Sequence, residues 1–291
     1  LHYFLTRSLT IFRLDWYCLK MIKVIFCDLD DTLLTPKKKD VKITDIEAIR
    51  RWLERGNQFV IATARHHTFL NKITDKMEDF DFDYIGWNGA EIVLKQKTVK
   101  LLPFTKNDVI DIYRNMEKFK MYIKATNINN EYIFESANTY VESLFLNEPC
   151  KISNQSLDEY LNEDNPPIIH INYIFPNKNL HQEFYDEYLK NRKINKELYS
   201  CKITSEFSYD INVKDATKEM GIQSYLKLNR IPIDQIASIG DSLNDIGMFK
   251  LSKYSFCMKH GNEEAKSISS YVINGVNEAI EIIERLNEYE Q

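Results

Sequence analysis

A short apolar run near the start of the chain restricts its fold more than any other feature. Residues 22–27 are rich in Ile and Val and contain a single Lys. A run of this length and composition predicts a strand buried on both faces, as strands of parallel sheets are. The acidic sequence that follows at once is Asp28-Leu29-Asp30-Asp31-Thr32. We therefore expect carboxylates at the carboxyl end of this strand, the edge at which open α/β sheets bind ligands.

Short strands and helices alternate toward both ends of the chain. The pattern predicts further strands at residues 59–62, 84–85, 236–239 and 271–273. It predicts helices at residues 44–55, 218–229, 244–251 and 279–286. The first of these helices is expected to begin with a capping box formed by Thr44 and Glu47. Strands that alternate with helices indicate the α/β class, with a parallel sheet and right-handed crossovers.

The middle of the chain has a different character. None of the eight glycines lies between Glu91 and Thr204. Strands are predicted in this stretch at residues 121–125, 132–134 and 168–175, and helices at residues 106–118 and 180–190. We interpret residues 91–204 as an α+β insert within a parallel-sheet core formed by residues 21–90 and 205–291.

The first 20 residues stand apart from this pattern. They are aromatic and apolar but are interrupted by Arg7, Arg13 and Asp15, and Met21 directly precedes the first strand. We interpret residues 1–20 as an N-terminal extension. A short packing helix or a helix on a membrane surface is the alternative.

Charge and cysteine content limit the kinds of partner. The formal net charge is −5, whereas nucleic acids and anionic membranes usually select a basic face, so neither partner is expected. The five cysteines are scattered, without the spacing of a metal site, which favours free thiols in a reducing compartment such as the cytoplasm. We expect a monomer or a weak homo-oligomer.

A second acidic run follows the strand predicted at residues 236–239. It reads Gly240-Asp241-Ser242-Leu243-Asn244-Asp245. Carboxylates that lie close together repel each other unless a cation compensates, and Mg²⁺ prefers such oxygen ligands. Each run alone also fits a solvated turn or a helix cap. Two acidic runs, each after a buried strand, favour a metal site.

Two further side chains suit a phosphate ligand. Thr63 follows the strand predicted at residues 59–62, where its hydroxyl can donate to a phosphoryl oxygen. Lys218 begins a predicted helix and can neutralise phosphate charge. Taken singly, Thr63 also fits a helix cap and Lys218 a solvated surface residue.

In their order along the chain, these residues resemble the four motifs of the haloacid dehalogenase (HAD) superfamily. The first motif is at Asp28 to Thr32, the second at Thr63, the third at Lys218 and the fourth at Gly240 to Asp245. The chain is most similar to the Cof-type branch with a C2B cap. The supporting sequences are Ala62-Thr63-Ala64-Arg65 and Asn88-Gly89-Ala90. The resemblance covers residues 21–286 and implies a Rossmann-like core with an inserted α+β cap, which would close over the site and select the leaving group.

The resemblance also implies a function. The implied activity is that of a magnesium-dependent phosphatase, which would hydrolyse a small phosphate monoester such as a sugar phosphate or a cofactor-like phosphate. Asp28 would attack phosphorus to form an aspartyl-phosphate, and Asp30 would move protons. The implied substrate-binding residues are Thr63, Ala64, Arg65, Asn88, Lys218 and Asn244. Arg65 and Asn88 each also fit a turn or the start of a helix. The implied metal-site residues are Asp28, Asp30 through its backbone carbonyl, Asp241 and Asp245, the last of which would orient Lys218 or a metal-bound water.

Two other functions remain compatible with these residues. A phosphomutase or phosphotransferase of the same fold would use the same Asp28 but pass the phosphoryl group to a second hydroxyl. A non-catalytic protein of the same fold would bind a phosphorylated ligand without hydrolysing it.

Several positions depart from the family pattern or lie outside it. Asp31 and Ala64 stand where the family usually has Gly. The pair His66 and His67 suggests metal ligands, but adjacent residues on a helix point apart, so we expect surface histidines. His170, in a predicted strand of the insert, could face the substrate, but we expect it to lie in that unit's core or on its surface.

Overall fold

The protein was analysed as a computed structural model, which describes residues 21–36, 40–67, 77, 80–113, 121–129, 131–135, 151–189, 198–205 and 207–289. The expected extension at residues 1–20 lies outside these ranges, as do the last residues of the helix predicted at residues 106–118. The chain divides into two compact units. One comprises Leu1–Val99 and Thr217–Gln291, and the other comprises Lys100–Ala216.

The described residues form strands and helices in an alternating order. The strands are β1 (Val24–Cys27), β2 (Gln58–Ala62), β3 (Asp83–Gly86), β4 (Glu91–Leu94), β5 (Lys97–Leu101), β6 (Tyr122–Asn127), β7 (Glu131–Glu135), β8 (Lys151–Ile152), β9 (Ile168–Ile174), β10 (Tyr199–Ser205), β11 (Ser208–Val213), β12 (Ile236–Gly240), β13 (Tyr254–Met258) and β14 (Tyr271–Ile273). The α-helices are α1 (Ile43–Glu54), α2 (Lys106–Tyr113), α3 (Leu157–Asn162), α4 (Lys178–Phe184), α5 (Lys218–Asn229), α6 (Ile246–Leu251), α7 (Glu263–Ile268) and α8 (Val276–Tyr289). Short 3₁₀ turns cover Trp87–Gly89, Ile233–Gln235 and Leu243–Asp245, and a π-helical turn covers Tyr185–Leu189.

The first unit is built on an eight-stranded sheet in which β1 is central. The strand order is β14-β13-β12-β1-β2-β3-β4-β5. The pairs from β14 to β3 are parallel, and β4 runs antiparallel to β3. The predicted parallel-sheet α/β core is confirmed. Its three central strands, β12, β1 and β2, end at the same edge.

Helices cover both faces of this sheet. On β1, Ile25 and Cys27 face one apolar cluster, which also contains residues of α1 and α8. Val24 and Phe26 face the other cluster, to which α5, α6 and α7 contribute. Because alternate side chains of a strand point to opposite faces, burial on both sides requires a continuous apolar run. This requirement explains why residues 22–27 contain so few polar side chains.

The second unit is built on a six-stranded sheet with the order β10-β11-β9-β6-β7-β8, antiparallel except for the last pair. One face packs an apolar cluster that includes Ile123, Ile171 and Ile211. The other face carries buried polar side chains, among them His170, whose Nε2 lies 3.5 Å from Asp210 Oδ2. His170 is therefore neither in the apolar cluster nor exposed.

The unit boundaries differ from those expected at residues 91–204. β4 extends the sheet of the first unit, whereas β11 belongs to the sheet of the second unit. The division falls between Val99 and Lys100 and between Ala216 and Thr217. Among the described residues, no helix is both long enough and apolar enough to span a bilayer.

Candidate active site

The carboxyl ends of three adjacent parallel strands carry the predicted site residues. Asp28 follows β1, Asp241 follows β12 and Thr63 follows β2. The backbone N–H of Asp28 donates to the carbonyl of Ile239 over 2.8 Å, which continues the β1–β12 ladder by one residue. The residues are brought together by strand order, although they are far apart in the sequence.

The ammonium group of Lys218 contacts two carboxylates at this edge of the sheet. Its Nζ lies 2.6 Å from Asp28 Oδ1 and 2.6 Å from Asp245 Oδ1. All three residues are buried. Burial on its own lowers the pKa of Lys218, but the carboxylates of Asp245 and Asp28 outweigh that effect and raise it. The lysine is consequently held as an ammonium beside the residue expected to attack phosphorus.

The backbone near Gly89 explains how Lys218 reaches this position. Lys218 is the first residue of α5, and the side chain of Thr217 caps that helix by accepting from the N–H of Met220. Gly89 has a φ of +108°, and a Cβ at this position would lie 2.2 Å from the carbonyl oxygen of Thr217. The start of α5 can approach the Trp87–Gly89 turn this closely only because Gly89 has no side chain.

Asp245 is engaged through both of its carboxylate oxygens. Oδ1 accepts from Lys218, and Oδ2 accepts from the backbone N–H groups of Asp241 and Ser242, each over 2.9 Å. A Cβ at Gly240 would lie 2.5 Å from the Asp245 carboxyl carbon, so the glycine makes room for this arrangement. The geometry favours Asp245 as the residue that orients Lys218.

Asp241 completes the acidic group. Its Oδ1 accepts from the hydroxyl of Thr32 over 2.9 Å. Oxygen atoms of Asp28, Asp241 and Asp245 all lie within 4.8 Å of one another. Burial raises the pKa of Asp28 well above its usual range, against the opposing charge of Lys218. Burial and the charge of Asp245 raise the pKa of Asp241 as well.

This donor set fits a hard divalent cation. The three carboxylates outnumber the single Lys218 ammonium beside them, and burial raises the pKa of Asp28 and of Asp241. Oxygen donors of this kind are the ligands that Mg²⁺ prefers. Thr32, whose hydroxyl orients Asp241, was not singled out from the sequence, although it is part of the acidic run after β1.

Arg65 and Asp30 form an ion pair at the same edge of the sheet. Arg65 Nε lies 2.5 Å from Asp30 Oδ2, and Nη2 donates to Oδ1 over 3.0 Å. Both side chains are partly exposed. The arginine expected to bind substrate is therefore in contact with the residue expected to move protons.

Hydrogen bonds link three of the remaining predicted residues. Asn88 donates its N–H to the carbonyl of Thr63 over 2.9 Å, and Asn244 Nδ2 donates to Asn88 Oδ1 over 3.3 Å. Thr63 and Asn88 are buried, and the latter has a φ of +56°. Ala64 is partly exposed and has no positive φ, so the replacement of the family's usual Gly introduces no backbone strain there.

Asp31 departs from the family pattern at a position where the backbone favours glycine. Its φ is +59°, in the left-handed region. Asp is among the few residues other than Gly that adopt this region with modest strain. Its carbonyl oxygen lies 2.6 Å from Nε2 of His260, and the residue is partly exposed.

The expectation that His66 and His67 are surface histidines is wrong for His66. His66 is buried, and neither residue belongs to one of the α-helices. Both imidazoles face the carboxylate of Glu91, at the start of β4. Glu91 was not singled out from the sequence, which contains no signal that it meets the two histidines.

Comparisons with known proteins agree with this architecture. A family model described as haloacid dehalogenase-like hydrolase matches residues 25–280. Phosphatase YwpJ of Bacillus subtilis is 25% identical over 281 residues, covering 86% of this chain and 94% of that protein. Pyridoxal phosphate phosphatase YbhA of Escherichia coli is 23% identical over 272 residues, covering 86% of this chain and 93% of that protein.

A solved structure shows the same fold. A haloacid dehalogenase-like hydrolase from B. subtilis aligns with a TM-score of 0.76 at 21% identity, covering 91% of this chain and 100% of that one. The match to the family model extends over most of the chain and includes segments of both units. The chain therefore belongs to the haloacid dehalogenase-like hydrolases.

Proposed function

We propose that the protein is a magnesium-dependent phosphatase that hydrolyses a small phosphate monoester through an aspartyl-phosphate on Asp28. The observation that carries this proposal is the contact of the buried Lys218 ammonium with Asp28 and Asp245 at the end of the central strand. Family membership and the phosphatases among its relatives support the same reaction.

Asp28 supplies the nucleophile. Lys218 binds Oδ1 of this carboxylate and so fixes the orientation of the side chain. In the first step a carboxylate oxygen bonds to phosphorus while the bond from phosphorus to the leaving oxygen breaks. A covalent intermediate divides one displacement between water and an anionic ester into two easier steps.

Asp30 handles the protons in both steps. It donates its proton to the leaving oxygen, which departs as an alcohol. It then accepts a proton from the water that attacks the aspartyl-phosphate, which restores Asp28 and releases inorganic phosphate. Arg65 holds both oxygens of Asp30, so this carboxyl group has a defined direction even though it is partly exposed.

Positive charge and hydrogen-bond donors hold the phosphoryl group. Phosphoryl transfer depends on positioning and charge neutralisation more than on elaborate covalent chemistry. Lys218 supplies charge beside Asp28, and Thr63 supplies a hydroxyl at the end of the neighbouring strand. Asn88 and Asn244 hold the turn next to Thr63 through the hydrogen bonds described above.

Asp28, the backbone carbonyl of Asp30, and Asp241 would hold Mg²⁺. When bound, the ion neutralises the charge that otherwise repels an anionic substrate from Asp28. Asp245 contributes indirectly, because both of its oxygens are engaged by Lys218 and by backbone N–H groups.

The experiment that tests this function is phosphate release by the purified chain with Mg²⁺. The panel comprises sugar phosphates, nucleotides, flavin mononucleotide and pyridoxal phosphate, the last because one relative is a pyridoxal phosphate phosphatase. We expect release from at least one monoester, abolished by chelation of Mg²⁺. Transfer of the phosphate to another hydroxyl without release would instead indicate a phosphomutase or phosphotransferase. Absence of any turnover would favour a binding protein.

A further inference from the structure

A second group of metal-ligating side chains lies apart from the acidic site. It consists of His66 and His67, in the segment after β2, and Glu91, the first residue of β4. His67 Nδ1 lies 2.9 Å from Glu91 Oε1, and His66 Nε2 lies 3.8 Å from the same oxygen. One ligand atom from each residue lies within 4.8 Å of the others.

The carboxylate of Glu91 is the part of this cluster that most needs a further ligand. The residue is 2% exposed. Its Oε1 contacts His67 and accepts from the hydroxyl of Thr98 over 3.2 Å. Its Oε2 is buried and accepts no hydrogen bond within the described part of the chain. A buried carboxylate oxygen without a partner is costly, and a bound cation would satisfy it.

The distances between ligand atoms suit a tetrahedral metal ion. Ligands about 2.0–2.1 Å from a common zinc ion, at tetrahedral angles, lie about 3.3 Å from one another. The two measured distances, 2.9 Å and 3.8 Å, bracket this value. The ligand atoms of the two imidazoles lie within 4.8 Å of each other, so all three donors are close enough to meet around one ion after side-chain rotation.

We propose that His66, His67 and Glu91 form a binding site for Zn²⁺ that is distinct from the proposed magnesium site. Two imidazole nitrogens and one carboxylate are a donor set that zinc accepts, whereas Mg²⁺ requires oxygen ligands. Three protein ligands leave a fourth position for water. His67 binds through Nδ1, so the neutral ring carries its proton on Nε2 when zinc is bound.

The site is joined to Arg65 by the backbone. Arg65 directly precedes His66, and its carbonyl accepts from the N–H of Trp87 over 3.1 Å and from the hydroxyl of Tyr84 over 2.8 Å. Bound zinc would tie this segment to β4 by a further link. It would thereby stabilise the fold around the residue that holds Asp30.

The test is direct metal binding by the full chain. The protein is first treated with a chelator and then titrated with Zn²⁺ by calorimetry in excess Mg²⁺, which competes for the all-oxygen site. We expect one high-affinity Zn²⁺ per chain and a higher melting temperature. Co²⁺ should give the visible absorption of a tetrahedral ion.

Two variants and one control locate the site. Glu91→Gln keeps the shape of the side chain, and His67→Ala changes a side chain that is partly exposed. Each should weaken Zn²⁺ binding at least about 100-fold, since even outer partners of metal ligands are worth about 10- to 100-fold. His260→Ala, which removes an exposed histidine elsewhere, should bind as the parent does. Circular dichroism confirms that each variant is folded. Absence of tight binding in the parent, or parent-like binding by both site variants, would overturn the proposal.

Discussion

Arg65 binds both carboxylate oxygens of Asp30, with Nε 2.5 Å from Oδ2 and Nη2 donating to Oδ1 over 3.0 Å. A planar guanidinium can make this two-point contact, whereas an ammonium donates from one atom. The contact assigns Arg65 a positioning role toward the proposed proton-transfer group, in addition to the substrate contact expected from the sequence.

Arg65→Lys should therefore lower kcat more than it changes KM. Loss of the two-point contact lets Asp30 turn away from the leaving oxygen, and misplacement of a reacting group by about 1 Å costs up to about 100-fold. Steady-state kinetics measure the two constants. Arg55→Lys is the matched control, because the exposed Arg55 pairs with a different carboxylate, that of Glu284. A large rise in KM at constant kcat would show that Arg65 serves substrate binding instead.

Asp28→Asn should abolish phosphate release while the protein stays folded. Asn has the size of Asp but cannot attack phosphorus, and removal of a covalent nucleophile costs at least about 1,000-fold in rate. Phosphate release and thermal melting measure the two properties separately. Turnover close to that of the parent would rule out Asp28 as the nucleophile.

Lys218→Met should remove both activity and stability. Two buried carboxylates lose their shared cation, and an uncompensated buried charge typically costs about 3–5 kcal/mol. The double variant Lys218→Met/Asp245→Asn removes one of those charges and should regain part of the free energy of unfolding. It should regain no activity, because the phosphoryl group still lacks the ammonium. Denaturant unfolding and phosphate release separate the two effects, and equal instability of both variants would contradict the charge argument.

Stabilisation by Mg²⁺ should grow with pH. The pKa values of Asp28 and Asp241 are raised in the folded, metal-free protein. Their contribution to stability is fully present below the unfolded-state pKa and is lost as the pH rises through the raised values. Mg²⁺ binds the ionised form and offsets that loss. Melting temperatures with Mg²⁺ and with chelator should diverge as the pH rises above about 4, the ordinary pKa of an aspartate, and a constant difference would argue against Mg²⁺ binding at these carboxylates.

Asp31 should tolerate Gly but not Val. The φ of +59° is accessible to Gly, strained for Asp and more strained for a β-branched residue. Asp31→Gly should change the free energy of unfolding by less than about 1 kcal/mol, and Asp31→Val should lower it by about 1–2 kcal/mol. Asp234→Val, at an exposed position without positive φ, is the control for the side-chain change. Equal effects of Val at both positions would contradict the backbone explanation.

The parts of the fold that were predictable from sequence are those with strong local signals. The apolar runs of β1, β2 and β12 identify buried strands, and acidic residues directly after them identify the ligand-binding edge. The grouping of Asp28, Asp241 and Thr63 follows from strand order, because neighbouring parallel strands end together. Their catalytic roles stay predictions from the family resemblance.

The missed features either lack a local sequence signal or depend on contacts between distant segments. β4 and β5 are joined by Lys95 and Gln96, whose φ values of +46° and +61° suit a tight hairpin turn, yet neither residue type signals one. The capping box expected at Thr44 and Glu47 is absent from α1, whose N-cap is Lys42. The Lys42 ammonium donates to the carbonyl of Asn274, a tertiary contact that the local sequence does not reveal.

The central position of β1 also affects how the chain folds during synthesis. Val24 pairs with Ile236 and Cys27 with Ile239. One edge of β1 therefore stays unpaired until a strand more than 200 residues further along the chain has been synthesised. Until β12 leaves the ribosome, that apolar edge is a template for pairing with other chains, and such distant pairings form slowly. The nascent chain is therefore prone to aggregation at this edge throughout the interval between the emergence of β1 and that of β12.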